Sequence, residues 1–490
     1  MGVLILALLF SSKSEGKIMM EGKQSFTGAK GEVKIITLDP GHFHAALVQK
    51  KMYDQVNPEV YVYAPEGNDV AEHLKRIDGY NMRKESPTSW KELVYKGNDY
   101  FLKMLQEKKG NVVVLSGNNR IKTEYIKKSV EAGFNVLADK PMVISPENFP
   151  MLEESFQIAA KKGVILYDIM TERHEITSML QKEISQNPIL FGKLLKGSKE
   201  KPAVEKLSVH YFYKNVSGVT LVRPGWFFDV EQQGEGIVDV ATHLIDLVQW
   251  ICFPGVVLHK SDIEMLQARH WPTLLTLEEF TAVTKLDKFP DYLSNAVKDG
   301  KLNEYANGEM TYKIKGVFAK VTAEWRYKAP EGAGDTHYSI MKGTQGTVEI
   351  KQGEAEKYMP TLYVRANTGT ALAGFTAELE KSILKNAGHS GLNLEKVNES
   401  TWKVIIPDQY KVGHEAHFSQ VTEAYLEFLK IGKLRGSISV SNMSTVPPSG
   451  RAMPRRNTSP RCTGIMECHL RKLPARSVTG TRRCSGFIVV

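Results

Sequence analysis

Hydrophobic residues fall in short solid blocks in the first third of the chain and in strict alternation further on. The stretch Asn111 to Met142 shows the block pattern in full. Asn111 to Leu115 is a Val-rich run closed by Ser116-Gly117-Asn118-Asn119. Ile121 to Ala132 reads as a helix ended by Gly133, and Phe134 to Ala138 is a second apolar run. Short apolar runs bounded by turn residues are strands buried on both faces of a parallel sheet. Joined through a helix they form a right-handed βαβ unit. Its two strand ends open on one sheet edge, where ligands sit in open α/β sheets. Asn118 and Asn119 stand at one of those ends, and Asp139-Lys140-Pro141 at the other.

Similar runs occur at Lys34 to Leu38, Glu59 to Ala64 and Val164 to Asp168. Residues 70 to 110 read as charged and helical. Ser145 to Lys162 is an amphipathic helix with Ser145 as cap and Pro146 in its first turn. Together these predict a doubly wound domain over 32–170. Beyond it the pattern changes. Ile237, Leu244, Ile245 and Val248 recur at helical spacing, Glu309 to Arg326 alternates polar and apolar, and Gly343-Thr344-Gln345-Gly346-Thr347 marks a tight hairpin. The fold class is therefore α/β: an N-terminal doubly wound Rossmann domain, then a C-terminal α+β domain over 171–434 with a mostly antiparallel sheet.

The 490 residues carry a formal charge of +9. Residues 435–490 hold ten Lys or Arg against one acid, which leaves 1–434 neutral. The basicity thus belongs to the tail, which has no nucleic-acid-binding motif and excludes no reading of the body. Its abrupt change of composition predicts disorder or a shifted reading frame after about Leu434. Three of the four cysteines lie there, without disulfide or zinc-finger spacing. Residues 1–31 begin with a short apolar run of signal-peptide length, too short to span a bilayer, which favours export to a bacterial periplasm or envelope over a cytoplasmic location.

Candidate chemistry collects at the strand ends. The turn Asp39-Pro40-Gly41-His42-Phe43-His44 stands where a dinucleotide-binding fold places G-x-G-x-x-G. Gly41 matches the middle glycine, while Asp39 and His44 replace the outer two. A carboxylate there is unfavourable beside phosphate unless it turns away, and an ordinary turn with Asp39 as helix cap fits the residues too. After the second strand, Glu66 or Asp69 is placed to accept ribose hydroxyls. Lys140, followed by Pro141, reads as a cation fixed at a cleft, although spacing alone also allows a surface lysine. Asp239 and His243, four apart, share a helix face, where a carboxylate and an imidazole can cooperate in proton transfer.

The run NVVVLSGNN, a helix, then AGFNVLADKPM resembles the Gfo/Idh/MocA oxidoreductase family, whose members carry Glu-Lys-Pro where this chain has Asp139-Lys140-Pro141. Trp226-x-x-Asp229, Gly234-x-Gly236 and Asp239-x-x-x-His243-x-x-Asp246 are similar to that family's W-R-x-D, G-G-G and D-x-G-x-H-x-x-D in order and spacing, with Glu235 and Ala241 departing from it. The resemblance implies a nicotinamide cofactor, NAD or NADP, contacted by Gly41, His42, His44, Glu66, Asn118, Asn119, Asp139, Lys140 and Pro141. It implies His243 as general base or acid, Asp239 as the group positioning substrate, and Lys140 beside the reacting hydroxyl. Trp226 and Asp229 would line a sugar site, and Arg173 would either enter the cleft or pair at a domain hinge. The implied partner is a small carbohydrate, with homo-oligomers common in the family. Two other activities fit the same residues, glycosidic cleavage through transient oxidation and carbohydrate binding without catalysis. His414-Glu415-Ala416-His417 lacks the H-E-x-x-H spacing, and no metal site, nucleophile elbow or P-loop is evident.

Overall fold

The computed structural model describes residues 26–433 apart from 217, 218 and 332. The signal-like start and the basic tail lie outside the described residues. Among these, no helix is long and apolar enough to cross a membrane.

Six strands, β1 (Ile35–Leu38), β2 (Glu59–Ala64), β3 (Lys91–Lys96), β4 (Val112–Leu115), β5 (Asn135–Asp139) and β6 (Leu166–Ile169), form a parallel sheet in the order β3-β2-β1-β4-β5-β6. Every residue of β1, β4 and β5 is buried, as their solid apolar runs require. The helices α1 (His44–Leu47), α2 (Asn68–Met82), α3 (Tyr100–Glu107), α4 (Lys122–Glu131), α5 (Phe149–Lys162) and α6 (Ile176–Ser185) follow the strands in turn. Residues 70 to 110 are thus not wholly helical. Lys-Glu-Leu-Val-Tyr-Lys forms the edge strand β3, whose exposed and half-buried charges suit an edge and hide the strand from a search for apolar runs.

The second sheet contains β7 (Val204–Tyr213), then, after a two-residue hairpin of β8 (Asn215–Val216) and β9 (Val219–Thr220), β10 (Ile263–Leu275), β11 (Val297–Lys298), β12 (Lys301–Ile314), β13 (Val317–Lys328), β14 (Thr336–Lys342), β15 (Gly346–Lys351), β16 (Thr361–Ala366), β17 (Asn393–Asn398) and β18 (Thr401–Ile405). Its order is β10-β12-β13-β7-β14-β15-β16-β18-β17, with β11 on β12. Only β13 and β7 run parallel; the other pairs are antiparallel.

One face of this sheet carries α7 (Gly236–Asp239) and α8 (Ala241–Cys252), while α9 (Leu277–Thr284) and α10 (Leu372–Leu384) cover other parts of it. A turn at Val240 divides what the sequence pattern reads as one helix. Gly236 brings α7 hard against β12, since a Cβ there would lie 1.6 Å from the Ala306 carbonyl oxygen. The last helix, α11 (His414–Ile431), returns to the first sheet, and Phe418, Val421, Tyr425 and Leu429 join its core.

Several imidazoles are buried neutral. Burial chiefly holds His73, His243 and His337 near pKa 3, and His44 and His174 near 4. Each binds its proton in the unfolded chain at about 6.5 but not in the folded one, so folding stability falls as pH drops from that value. His73, buried on α2 with neither ring nitrogen hydrogen-bonded among the described residues, is the cleanest case. The urea midpoint is expected to fall between about pH 7 and about pH 5, and less steeply in His73→Leu than in the wild type. Parallel slopes would contradict this assignment.

Candidate active site

The parallel strands deliver Lys140 from the end of β5, and the second sheet delivers Asp239 from the last residue of α7. Lys140 Nζ donates to Asp239 Oδ1 at 2.5 Å, and both side chains are largely buried. Burial pushes the Asp239 pKa up, but Lys140's charge and hydrogen bond outweigh it and hold the carboxyl ionised. One turn on, His243 is neutral because burial and the Lys140 charge bring its pKa down to about 3. Its Nδ1 is buried and has no hydrogen-bond partner among the described residues.

These three groups line a cavity of 1440 Å³ between the two sheets and α11. Glu172 comes from the single turn after β6, and His414 is the first residue of α11, its Nδ1 3.7 Å from Glu172 Oε1. On the far wall, Asp335 Oδ2 accepts from His210 Nδ1 at 2.9 Å and from Lys214 Nζ at 2.6 Å. Burial pushes the Asp335 pKa up, and its contacts with His210 and Lys214 outweigh this and pull it well below the usual carboxylate range. Arg223 is buried with its guanidinium 4.5 Å from the Phe227 ring and 5.0 Å from Trp325, its charge cushioned by two aromatic faces. The lining thus offers bound cations, one neutral imidazole and ring faces, a surface suited to a small polyhydroxylated ligand.

Of the residues singled out in the sequence, Lys140, Asp239, His243, His42 and His44 meet in this cavity. The others do not line it. Asp139 lies beneath its floor and accepts from His44 Nδ1 at 2.9 Å and Ser116 Oγ at 2.8 Å. Pro141 follows Lys140 through a cis peptide. Glu66 is exposed, whereas Asp69 accepts from Trp226 Nε1 at 2.8 Å. Arg173 is paired with Asp246, its Nε 2.7 Å from Oδ2 and its Nη2 on Oδ1, so the ion-pair reading describes it and the substrate-binding one does not. Asp229 faces Arg120 at 3.5 Å, away from the cavity. Trp226 covers Gly41 instead of lining a sugar site; its neighbour Phe227 is the aromatic on the cavity wall.

The turn after β1 departs from a glycine loop in each altered position. Asp39 takes the left-handed backbone (φ 47°) of a first glycine, and its carboxylate turns to the hydroxyls of Tyr125 and Tyr100 at 3.0 and 3.5 Å. It is not a helix cap. At Gly41 a Cβ would meet Asp69 Oδ2 at 2.9 Å and the Trp226 ring at 3.1 Å. Asn118 Nδ2 donates to Gln232 Oε1 at 2.7 Å, and Asn119 Nδ2 to the Gln233 carbonyl at 2.8 Å. The segment 225–234 therefore straps the strand ends that a dinucleotide would cross. Gly41 is thus closed off by Asp69 and Trp226, and a dinucleotide's phosphates would have to displace that contact to reach its backbone.

The model of a family described as "Putative oxidoreductase C terminal domain" matches residues 180–445. This span runs past Leu434, where the composition breaks. A solved structure of "a putative oxidoreductase from Parabacteroides merdae ATCC 43184" is 56% identical, with a TM-score of 0.82 over 84% of this chain and 94% of that one. An oxidoreductase domain protein from Kribbella flavida shares the fold at 13% identity (TM-score 0.52, 82% and 91% of the two chains). So does levoglucosan dehydrogenase in complex with NADH and levoglucosan, at 12% identity (TM-score 0.50, 83% and 91%). No curated protein matches.

Arg173 and Asp246 are both almost wholly buried, so truncating one strands the other's charge. Arg173→Ala is expected to cost about 3–5 kcal/mol in urea unfolding, and joint replacement of the pair by Met and Leu much less. Equal losses would show that the pair itself contributes nothing particular.

Proposed function

We propose that this chain, which belongs to the oxidoreductase family of Gfo/Idh/MocA type whose C-terminal domain it carries, oxidises or reduces a CH–OH group of a carbohydrate-like substrate with a nicotinamide dinucleotide. The observation that carries this reading is the Lys140–Asp239 pair meeting neutral His243 on one cavity wall. The fold is that of an NADH-bound sugar dehydrogenase, which supports the cofactor class.

The chain's own part in the reaction is proton handling. Neutral His243 takes the substrate hydroxyl proton, and the nearby Glu172 carboxylate favours the imidazolium that results. Lys140, held in place by Asp239, stabilises the developing alkoxide with a charge already desolvated and needing no reorganisation. His210, Lys214, Asp335 and Arg223 give the remaining hydroxyls donors and acceptors on the far wall. The nicotinamide ring, when bound, supplies hydride transfer. The Trp226 strap favours a second reading, a carbohydrate-binding protein that takes no dinucleotide.

Lys140→Ala should lower kcat by about 10²–10³-fold while the dinucleotide Kd shifts only a few-fold, read from reduced-nicotinamide fluorescence on a panel of sugars and polyols. An equal loss of binding and turnover would remove Lys140 from the chemistry. Trp226→Ala opens the strap without touching the cavity and is expected to tighten dinucleotide binding about tenfold, because a closed majority state taxes affinity by the open fraction. If neither protein binds NAD or NADP, the carbohydrate-binding reading replaces this one.

A further inference from the structure

We propose that His42, His44 and Asp139 form a site for one divalent transition-metal ion, opening on the cavity beside Lys140. The His-x-His spacing sets both imidazoles on the turn after β1, and Asp139 ends β5, with Ser116 at the end of β4 between them. One ligand atom from each of the three residues lies within 4.8 Å of the others. His44 Nδ1 is 2.9 Å from Asp139 Oδ2, and His42 Nδ1 is 3.8 Å from the same oxygen. Bonds of about 2.0–2.1 Å in a tetrahedron place ligand atoms about 3.3 Å apart, a value these two distances bracket. All three ligand atoms lie within 4.8 Å of one another, so the two imidazoles would draw inward around the ion.

Two further observations point to a ligand. His42 Nδ1 and Asp139 Oδ1 are both buried polar atoms without a hydrogen-bond partner among the described residues. Such atoms carry a desolvation cost that an ion would offset. The outer shell is also in place. His44 Nε2 lies 3.3 Å from His414 Nε2, and His414 Nδ1 faces Glu172, so the ring that offers Nδ1 inward is oriented through its other nitrogen.

Two imidazoles with one carboxylate select zinc, iron, manganese or cobalt over calcium and magnesium, which prefer oxygen. His42 and His44 line the cavity, which leaves a coordination position open to water or a substrate oxygen. There an ion would polarise a hydroxyl or carbonyl as a Lewis acid next to the Lys140 ammonium. Lys122, which donates to the Asp139 carbonyl at 3.1 Å, and Lys140 both oppose a dication, and Asp239 offsets the second.

The full chain, stripped with a chelator and dialysed, would be titrated calorimetrically with Zn²⁺ and Mn²⁺, and the Co²⁺-loaded protein examined by visible absorption. His42→Ala is the informative variant because it removes a ligand without removing a hydrogen bond; its fold is checked by thermal unfolding. The wild type is expected to bind about one ion per chain, and His42→Ala to bind at least tenfold more weakly and lose the cobalt ligand-field bands; His414→Ala, which removes only the outer partner, should weaken binding by about tenfold. No stoichiometric ion in the wild type overturns the proposal, and so does binding that His42→Ala leaves unchanged, as ions held elsewhere on the chain would be. The measurement needs neither substrate nor dinucleotide, so its failure leaves the oxidoreductase reading standing.

Discussion

The structure depends on one buried ion pair, Lys140 with Asp239, that ties the end of a parallel strand to a helix resting on a different sheet. Neither charge can be buried alone, since leaving one partner unpaired costs about 3–5 kcal/mol. The surrounding chain meets that requirement from both sides. Pro141 fixes the backbone after the lysine, and Gly236 lets α7 press on Ala306 so that the carboxylate reaches across. His243 follows within a turn, and burial together with the neighbouring ammonium keeps it free of a proton. Position, charge and protonation state of the three groups are thus one arrangement.

At the turn after β1 a second constraint acts: the two side chains that stand in place of the outer glycines are each held by a partner. Asp39 finds the Tyr100 and Tyr125 hydroxyls, His44 finds Asp139, and Asp69 finds the Trp226 indole. Each pairing reshapes the cleft. The loop that would carry phosphates alone becomes one that turns two imidazoles into the cavity, and a tryptophan strap lies over its remaining glycine. The chain keeps a six-stranded parallel sheet and sets two imidazoles at its edge.

Much of this was legible in the sequence, and the exceptions have physical causes. β1, β4, β5 and β6 show as apolar runs because every residue in them is buried, and β2 because four of its six are. Edge strand β3 does not, because half of its side chains meet water. Lys140 and Asp239 were readable as candidates from a strand end and a helical pattern. Motif order points Arg173 to the cleft or to a hinge pair and Trp226 to a sugar site, and it says nothing about Asp246 or Asp69 competing for them. Glu172, His210 and His414 escaped as cavity residues because their roles arise from contacts across long stretches of chain. The sequence offers His44 as a departure from glycine, and the family resemblance offers His42, His44 and Asp139 as cofactor contacts; their meeting with one another lies in the tertiary fold.

Hydride chemistry in this cavity requires a bound nicotinamide dinucleotide. The most direct measurement is to denature the purified full-length protein, before and after incubation with NAD and NADP, and identify the small molecules released by mass spectrometry. Nicotinamide dinucleotide is expected in an amount comparable to the protein. A protein that releases none, and retains none after incubation, would contradict it.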